Sequence, residues 1–306
     1  FVEEFFPHLE NHVRHQFKPL KHLFPEQILD TPLDESGLVS IGLGLALGGL
    51  CPIIEAQFSG FVSFMVHHIQ EMARYPQRSA GKLGVPVVLR LPFGGAKRIE
   101  YHNDCEMPMF ANLPGIVIAC PSLEPQDWYD MLYAAIASNK LVLFFENIIL
   151  YKDFAKGDLI RRMPTRPIED FGSKIVREGG DVTVVTYGYL VHECLKAAEI
   201  VKEQDGIETA IVDLLIISPL NKQPILESFQ QTGRLVVVQE EPVPYGIGGE
   251  IIAQIMEEPA ALLYLRSPVK RVGAPQEFCP APELWRLHTP QADTIADAIR
   301  ETVAYQ

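Results

Sequence analysis

Apolar positions along the chain fall into short continuous runs. PIIEAQF (Pro52–Phe58), VPVVLRL (Val85–Leu91), IVIAC (Ile116–Cys120) and LVLFF (Leu141–Phe145) are β-branched or aromatic, and Gly, Pro or Asn bounds each one. This pattern predicts strands. Unbroken apolar strands are buried on both faces, so they belong to a parallel sheet between helices. Helical periodicity separates them over Leu38–Leu50, Phe64–Tyr75 and Gln126–Ala137, with Ser122 and Asp127 as start signals for the last. The pattern then changes. Asp153–Ile175 is rich in Lys, Arg, Pro, Asp and Gly, with RRMPTRP at its centre, and reads as a linker. A second βα series follows. Strands are predicted at Val182–Gly188, Thr209–Leu214 and Leu235–Glu240, and helices at Val191–Gln204, Lys222–Thr232 and Gly248–Glu257. The fold class is therefore α/β in two domains: a parallel-sheet domain over 1–155, a linker over 156–178 and a second α/β domain over 179–306.

Composition narrows the class. The chain has 306 residues, 47% hydrophobic and 21% charged, which describes a globular protein long enough for two cores. A formal charge of −13 argues against nucleic-acid binding. The longest apolar stretch, Leu38–Ile54, is broken by glycines and Pro52, so no membrane span is expected. The opening FVEEFFPHLENH is acidic and lacks a basic end, so no signal peptide is expected, and the chain reads as a fragment or a processed form. Five cysteines (Cys51, Cys105, Cys120, Cys194, Cys279) form no CxxC pair, which fits a reducing compartment better than a disulfide framework.

Candidate chemistry is sparse. GLGLALGG (Gly42–Gly49) lacks the spacing of a dinucleotide fingerprint and no strand directly precedes it, so its glycines read as close helix packing. His8, His12 and His15 share one helix face, as a metal site or a solvated face. His67 and His68 are adjacent, so on a helix they diverge and do not readily face one ion. In YHND (Tyr101–Asp104), His102 follows a glycine-bearing loop after a predicted strand, and the carboxyl ends of parallel strands build active sites. It is a candidate acid or base, with a structural hydrogen bond as the alternative. Asp34 and Glu35 stand at the mouth of an apolar helix. One cap suffices, and Asp34 suits it, so Glu35 is left as a second cap or a proton-handling group.

DTPLDESGLVSIGLGLALGGLCPIIEAQF, VPVVLRLPFGG…YHND and LPGIVIACPSLEPQD resemble the beta subunit of thiamine-diphosphate-dependent 2-oxoacid dehydrogenases. These are the decarboxylating components of the pyruvate and branched-chain complexes. GGDVTVVTYGYLVHECLKAAE, VDLLIISPLN, TGRLVVVQEEP and GIGGEI are similar to the family's transketolase-type C-terminal domain. The resemblance covers nearly the whole chain. It implies a pyrimidine-binding domain followed by a transketolase C-terminal-like domain. It also implies that Glu35 hydrogen-bonds the aminopyrimidine of thiamine diphosphate and favours the imino tautomer that takes the thiazolium proton. Phe61 matches the aromatic ring against the pyrimidine, and Gln57 joins the cofactor-binding set. His102 matches the histidine that faces substrate and the incoming lipoyl group.

The family's GDG…N motif for Mg²⁺ and diphosphate is absent from this chain. The resemblance thus implies an alpha subunit that supplies Mg²⁺ and the diphosphate half, in a heterotetramer or as a fused polypeptide. It further implies a lipoyl acyltransferase docked on the C-terminal domain, where Glu240, Glu241, Glu283 and Asp293 are expected to meet a basic peripheral domain. The chain departs from the pattern in places. Asn103 and Asp104 replace the usual Ser-Gln, and Lys97, Arg98, Ile99 and Glu100 enter a loop usually richer in glycine. His67 and Ser138 stand where an Asp is common. Lys140, near Ser138, is expected to replace the charge of a structural monovalent cation. The expected activity is oxidative decarboxylation of a 2-oxoacid, in bacterial cytoplasm or mitochondrial matrix according to source. A non-catalytic paralogue and a transketolase-like enzyme are the alternatives.

Overall fold

The computed structural model describes residues 21–95, 100–151, 163, 165–280 and 284–305. His8, His12, His15, Lys97, Arg98, Ile99 and Glu283 lie outside them.

The chain forms two five-stranded sheets. In the first, β1 (Ile53–Glu55), β2 (Val87–Phe93), β4 (Leu141–Asn147) and β3 (Ile116–Ala119) run parallel in the order β1-β2-β4-β3. Every residue of β2, β3 and β4 is buried, as their unbroken apolar runs predict. In the second, the order is β10-β9-β6-β7-β5, built from β5 (Ser173–Arg177), β6 (Val182–Thr186), β7 (Thr209–Leu214), β9 (Leu235–Pro242) and β10 (Lys270–Ala274). Each sheet carries one antiparallel edge. β5 closes the second sheet against β7 and lies inside the stretch 156–178. β8 (Ile216–Ser218) comes from the C-terminal half yet pairs with β3 of the first sheet. One buried cluster then runs from Phe93 and Phe145 through Tyr187 to Val237, so the two sheets share a core.

Local chemistry sets the helix ends. α1 (Glu35–Leu47) begins where the Asp34 carboxylate accepts the Gly37 N–H at 3.0 Å. Its Val39, Gly42 and Ala46 face the sheet. A β-carbon at position 42 would stand 2.3 Å from Ile54 Cδ1, so the glycine lets α1 lie on β1. α2 (Val66–Arg78) and α3 (Pro125–Ala137) complete the first layer. In the second half, α4 (Leu190–Asp205) stops at Gly206 and α5 (Gln223–Thr232) at Gly233, both left-handed, as expected for helix ends. α6 (Ile247–Met256), the short α7 (Ala261–Tyr264) and α8 (Trp285–His288), and α9 (Ala292–Ala304) follow.

Candidate functional site

β1 and β2 are parallel neighbours, and the candidate residues follow their carboxyl ends. Past β1 come the half-buried Gln57 and a 3₁₀ turn, Ser59–Phe64, that carries Phe61. Past β2 comes the turn Glu100–His102. Gly60 brings the two turns together, because a β-carbon there would stand 2.1 Å from the Tyr101 carbonyl oxygen. The Glu106 N–H donates to Ser59 Oγ at 3.1 Å and holds the same contact. His102 is 5% exposed. The Phe58 ring meets it edge-on at 4.1 Å and the Phe61 ring at 5.6 Å, while Phe61 stacks on Tyr101 at 6.1 Å.

Glu35 opens α1 beside this cluster. Ser36, the next residue, donates from Oγ to the Phe64 carbonyl oxygen at 2.8 Å, which ties the helix start to the Phe61 turn. The Gly37 N–H is taken by Asp34, so the Glu35 side chain has no capping duty. Glu35 is half-buried within this chain. A dry pocket around it needs a second wall. Leu29, Leu33, Ile41 and Leu45 are exposed near it along the chain, as is Phe64, whose carbonyl oxygen Ser36 holds, although α1 has an apolar sequence nearly throughout. A helix apolar on every face is normally buried on every face.

Beneath the turns lies an ion network that the sequence reading did not single out. Arg90 on β2 donates to both Glu146 oxygens at 2.9 and 2.7 Å and to Glu55 at 2.7 Å. The Tyr151 hydroxyl donates to Glu146 at 2.6 Å. Burial pushes the Glu55 carboxyl up to about 7, with Glu146 adding to the rise and Arg90 opposing it. Arg90 inside an otherwise apolar strand was the available signal, since a buried charge needs a partner. Phe58, which faces His102, was likewise hidden within a strand reading.

Two expectations need correction. Glu240 and Glu241 are 6% and 4% exposed, so they are not surface acids for a basic domain. The end of β9 carries them inward, where Glu240 accepts from Asn147 and Glu241 from Tyr187. Only Asp293 of that set is exposed among the described residues. The Lys140 ammonium pairs with Glu169, and the Ser138 hydroxyl donates to the Ala135 carbonyl oxygen at 2.7 Å, so the described partner of Lys140 is a carboxylate rather than a ring of carbonyls. His67 and His68 stand 5.5 Å apart, edge to face, and among the described residues no group of three or more His, Cys, Asp or Glu is arranged to hold a metal. Burial also raises the thiols of Cys105 and Cys120 well above their ordinary value, which favours the neutral form of both.

The two sheets have counterparts in known proteins. A family model described as "Transketolase, pyrimidine binding domain" matches residues 9–152, and one described as "Transketolase, C-terminal domain" matches residues 172–295. The fold is also that of a solved structure, "Split gene transketolase, inactive beta4 tetramer", with a TM-score of 0.74 and 20% identity over 96% of this chain and 90% of that one. The class is therefore that of the transketolase-like thiamine-diphosphate proteins. The chain is 37% identical to the pyruvate dehydrogenase E1 component subunit beta of Bacillus subtilis over 289 residues, covering 93% of this chain and 86% of that protein. It is 37% identical to the subunit of the same name from Leifsonia xyli over 281 residues, covering 91% and 81%. It belongs to the family of beta subunits of thiamine-diphosphate-dependent 2-oxoacid dehydrogenases.

The residues fit half of that cofactor. A carboxyl free of capping duty opens an apolar helix, and a half-buried phenyl ring stands on the turn tied to it, which suits an aminopyrimidine. No GDG occurs in the chain to suit a diphosphate with its cation.

Proposed function

We propose that this chain supplies the pyrimidine-binding half of a 2-oxoacid decarboxylating site, completed by an alpha subunit that brings Mg²⁺ and the diphosphate half. The observation that carries this reading is the division of labour at the start of α1. Asp34 caps the helix and Glu35 is left to meet a ligand. Bound thiamine diphosphate would supply the carbanion chemistry at the keto carbon. Glu35 would hold a proton shared with the aminopyrimidine ring nitrogen. Phe61 would set the ring plane and exclude water, and Gln57 would line the same wall. His102, braced by Phe58 and Phe61, would orient substrate and hand a proton to the acyl acceptor.

The substrate is a small 2-oxoacid, pyruvate or a branched-chain acid. The acyl group passes to a lipoyl group on a partner acyltransferase. The uncovered apolar face of α1 is where the alpha subunit closes the site, in a heterotetramer. No described helix is long and apolar enough to cross a membrane. Activity in the bacterial cytoplasm or the mitochondrial matrix, according to source, is part of the proposal. A non-catalytic paralogue is the rival reading. It is favoured by Asp104, a carboxyl close to His102 that helps push the neighbouring Glu106 carboxyl up, after burial itself.

Calorimetric titration of thiamine diphosphate and Mg²⁺ into this chain, alone and then with a co-expressed alpha subunit, tests the split site. Binding only in the two-chain sample is expected. Tight binding by the single chain would overturn it. Decarboxylation by the two-chain sample, read with an artificial electron acceptor, separates enzyme from paralogue.

A further inference from the structure

A cavity of about 440 Å³ opens between the two halves of the molecule, with Gly95 and, one residue past His102, Asn103 in its lining. That volume suits a small ligand. The first half contributes Asp104 and Glu106 to its lining, and the second contributes Glu240, Glu241 and Glu277. No Lys or Arg occurs among the described lining residues. Glu240 Oε2 accepts from Asn147 Nδ2 at 3.0 Å, while its Oε1 has no hydrogen-bond donor among the described residues, although the side chain is 6% exposed. That oxygen leaves an acceptor for a donor that enters the cavity. Aromatic rings stand at the rim. Tyr245 is 95% exposed and Phe278 87% exposed, and Trp285 joins them. Arg286 already stands over the Trp285 ring, 5.8 Å from its centroid, so that ring is in use as a cation platform.

We infer that this cavity binds a small organic cation, a primary ammonium or guanidinium on a short apolar stem. The charged head sits against Glu240 and donates to its unmatched oxygen. The stem lies along the aromatic rim. A bare metal ion suits the lining less well, since no described set of three or more ligating side chains converges. The inference stands apart from the decarboxylation reading, because it uses neither Glu35 nor His102.

Burial, reinforced by Glu241, pushes the Glu240 carboxyl up to about 8. Below that pH the empty site holds a proton, which an arriving cation displaces. The other titratable groups facing Glu240 are Tyr187 and Tyr189 from the end of β6, Cys105 past β2, Cys120 past β3, and Cys279 past β10. Burial raises all five, so they stay neutral across the working range; the groups that respond are the carboxyls of Glu240 and of its cavity neighbours Glu241 and Glu106, each also raised by burial.

The test is calorimetry on the full chain with 1,4-diaminobutane, n-butylguanidinium and, as an anionic control, succinate. It is run at about pH 6.5 and about pH 8.5, each in two buffers of different ionisation enthalpy. Both cations are expected to bind saturably, about tenfold or more tightly at the higher pH, with proton release at the lower one. Glu240→Gln is expected to weaken them by about tenfold and to flatten the pH dependence. If Glu240→Gln does not fold, Glu277→Gln, exposed at the rim, is expected to weaken both cations and decides the matter. Absence of saturable binding, equal binding of succinate, or affinity unchanged in the folded variant overturns the inference.

Discussion

Gly60 lies against the backbone of Tyr101 so closely that any β-carbon at position 60 would stand 2.1 Å from the Tyr101 carbonyl oxygen. The contact joins the turn that carries Phe61 to the turn that carries His102. Gly60→Ala therefore has to separate them. Overpacking of this kind costs about 1–3 kcal/mol. The expected outcome is a lower Tm together with weaker thiamine diphosphate binding in the two-chain complex. A thermal melt and a cofactor titration on the same sample check it. An unchanged Tm would show that the turns move apart freely.

Adjacent carboxylates at the start of α1 are expected to separate into two phenotypes. Asp34→Ala removes the cap on the Gly37 N–H and should cost about 1 kcal/mol of stability, with cofactor affinity little changed. Glu35→Gln should leave the melt near that of the wild type and abolish decarboxylation measured with an artificial electron acceptor. Equal losses of activity in the two variants would remove the special role of Glu35.

Arg90 sits between Glu55 and Glu146 with 10% of its side chain exposed. Arg90→Met leaves the buried Glu146 and the half-buried Glu55 without their cation and should destabilise by about 3–5 kcal/mol. Arg90→Met with Glu146→Leu removes the stranded charge and should recover part of the loss. Denaturant midpoints of the single and double variants give the comparison.

Buried carboxyls with raised values make stability fall as pH rises. Burial pushes Asp213 up to about 7, against its hydrogen bond from Ser122, and Glu240 up to about 8. In the unfolded chain both ionise near ordinary carboxylate values. Between those values and about 7–8 the folded state binds more protons than the unfolded state, so raising pH favours unfolding. The Tm should be lower at pH 8 than at pH 5.5. The difference should narrow in Asp213→Asn and in Glu240→Gln. A difference as wide in both variants as in the wild type would place its origin elsewhere.

The exposed apolar side chains of α1 offer a test of the partner surface. Ile41 and Leu45 are 41% and 36% exposed, so Ile41→Ser with Leu45→Ser removes little packing from this chain. Single surface changes are usually within about 0.5 kcal/mol. The melt of the isolated chain should barely move, while co-purification with an alpha subunit should fall sharply. Sedimentation of the mixed sample reads the second effect.

Periodicity along the chain was sufficient for β2, β3, β4, β6, β7 and β9 and for the helices between them, because a fully buried strand must be apolar throughout and a helix repeats its buried face about every three to four residues. Caps were not sufficient for α3, since Ser122 donates to Asp213, Asp127 pairs with Lys174, and neither caps that helix. Asp34 as a cap and Gly42 as a packing glycine were legible. β8 was not. Ile216–Ser218 is three residues long and becomes a strand only by pairing across to β3. β10, KRVGA, hides for a related reason, since its first two residues are exposed. α9 was legible in principle, because Ile295, Ile299 and Thr302 recur at helical spacing and all are buried.

The sequence by itself determined the two α/β domains, the family and the pair of carboxylates at the helix mouth, because each rests on local chemistry or on the order of motifs. Only the tertiary structure decided that Glu240 and Glu241 face inward, that Arg90 binds two carboxylates at once, and that His102 is held between Phe58 and Phe61. Those outcomes depend on which distant segments meet. A charged residue looks the same in a sequence whether water or a partner surrounds it, and burial is a property of the assembled chain.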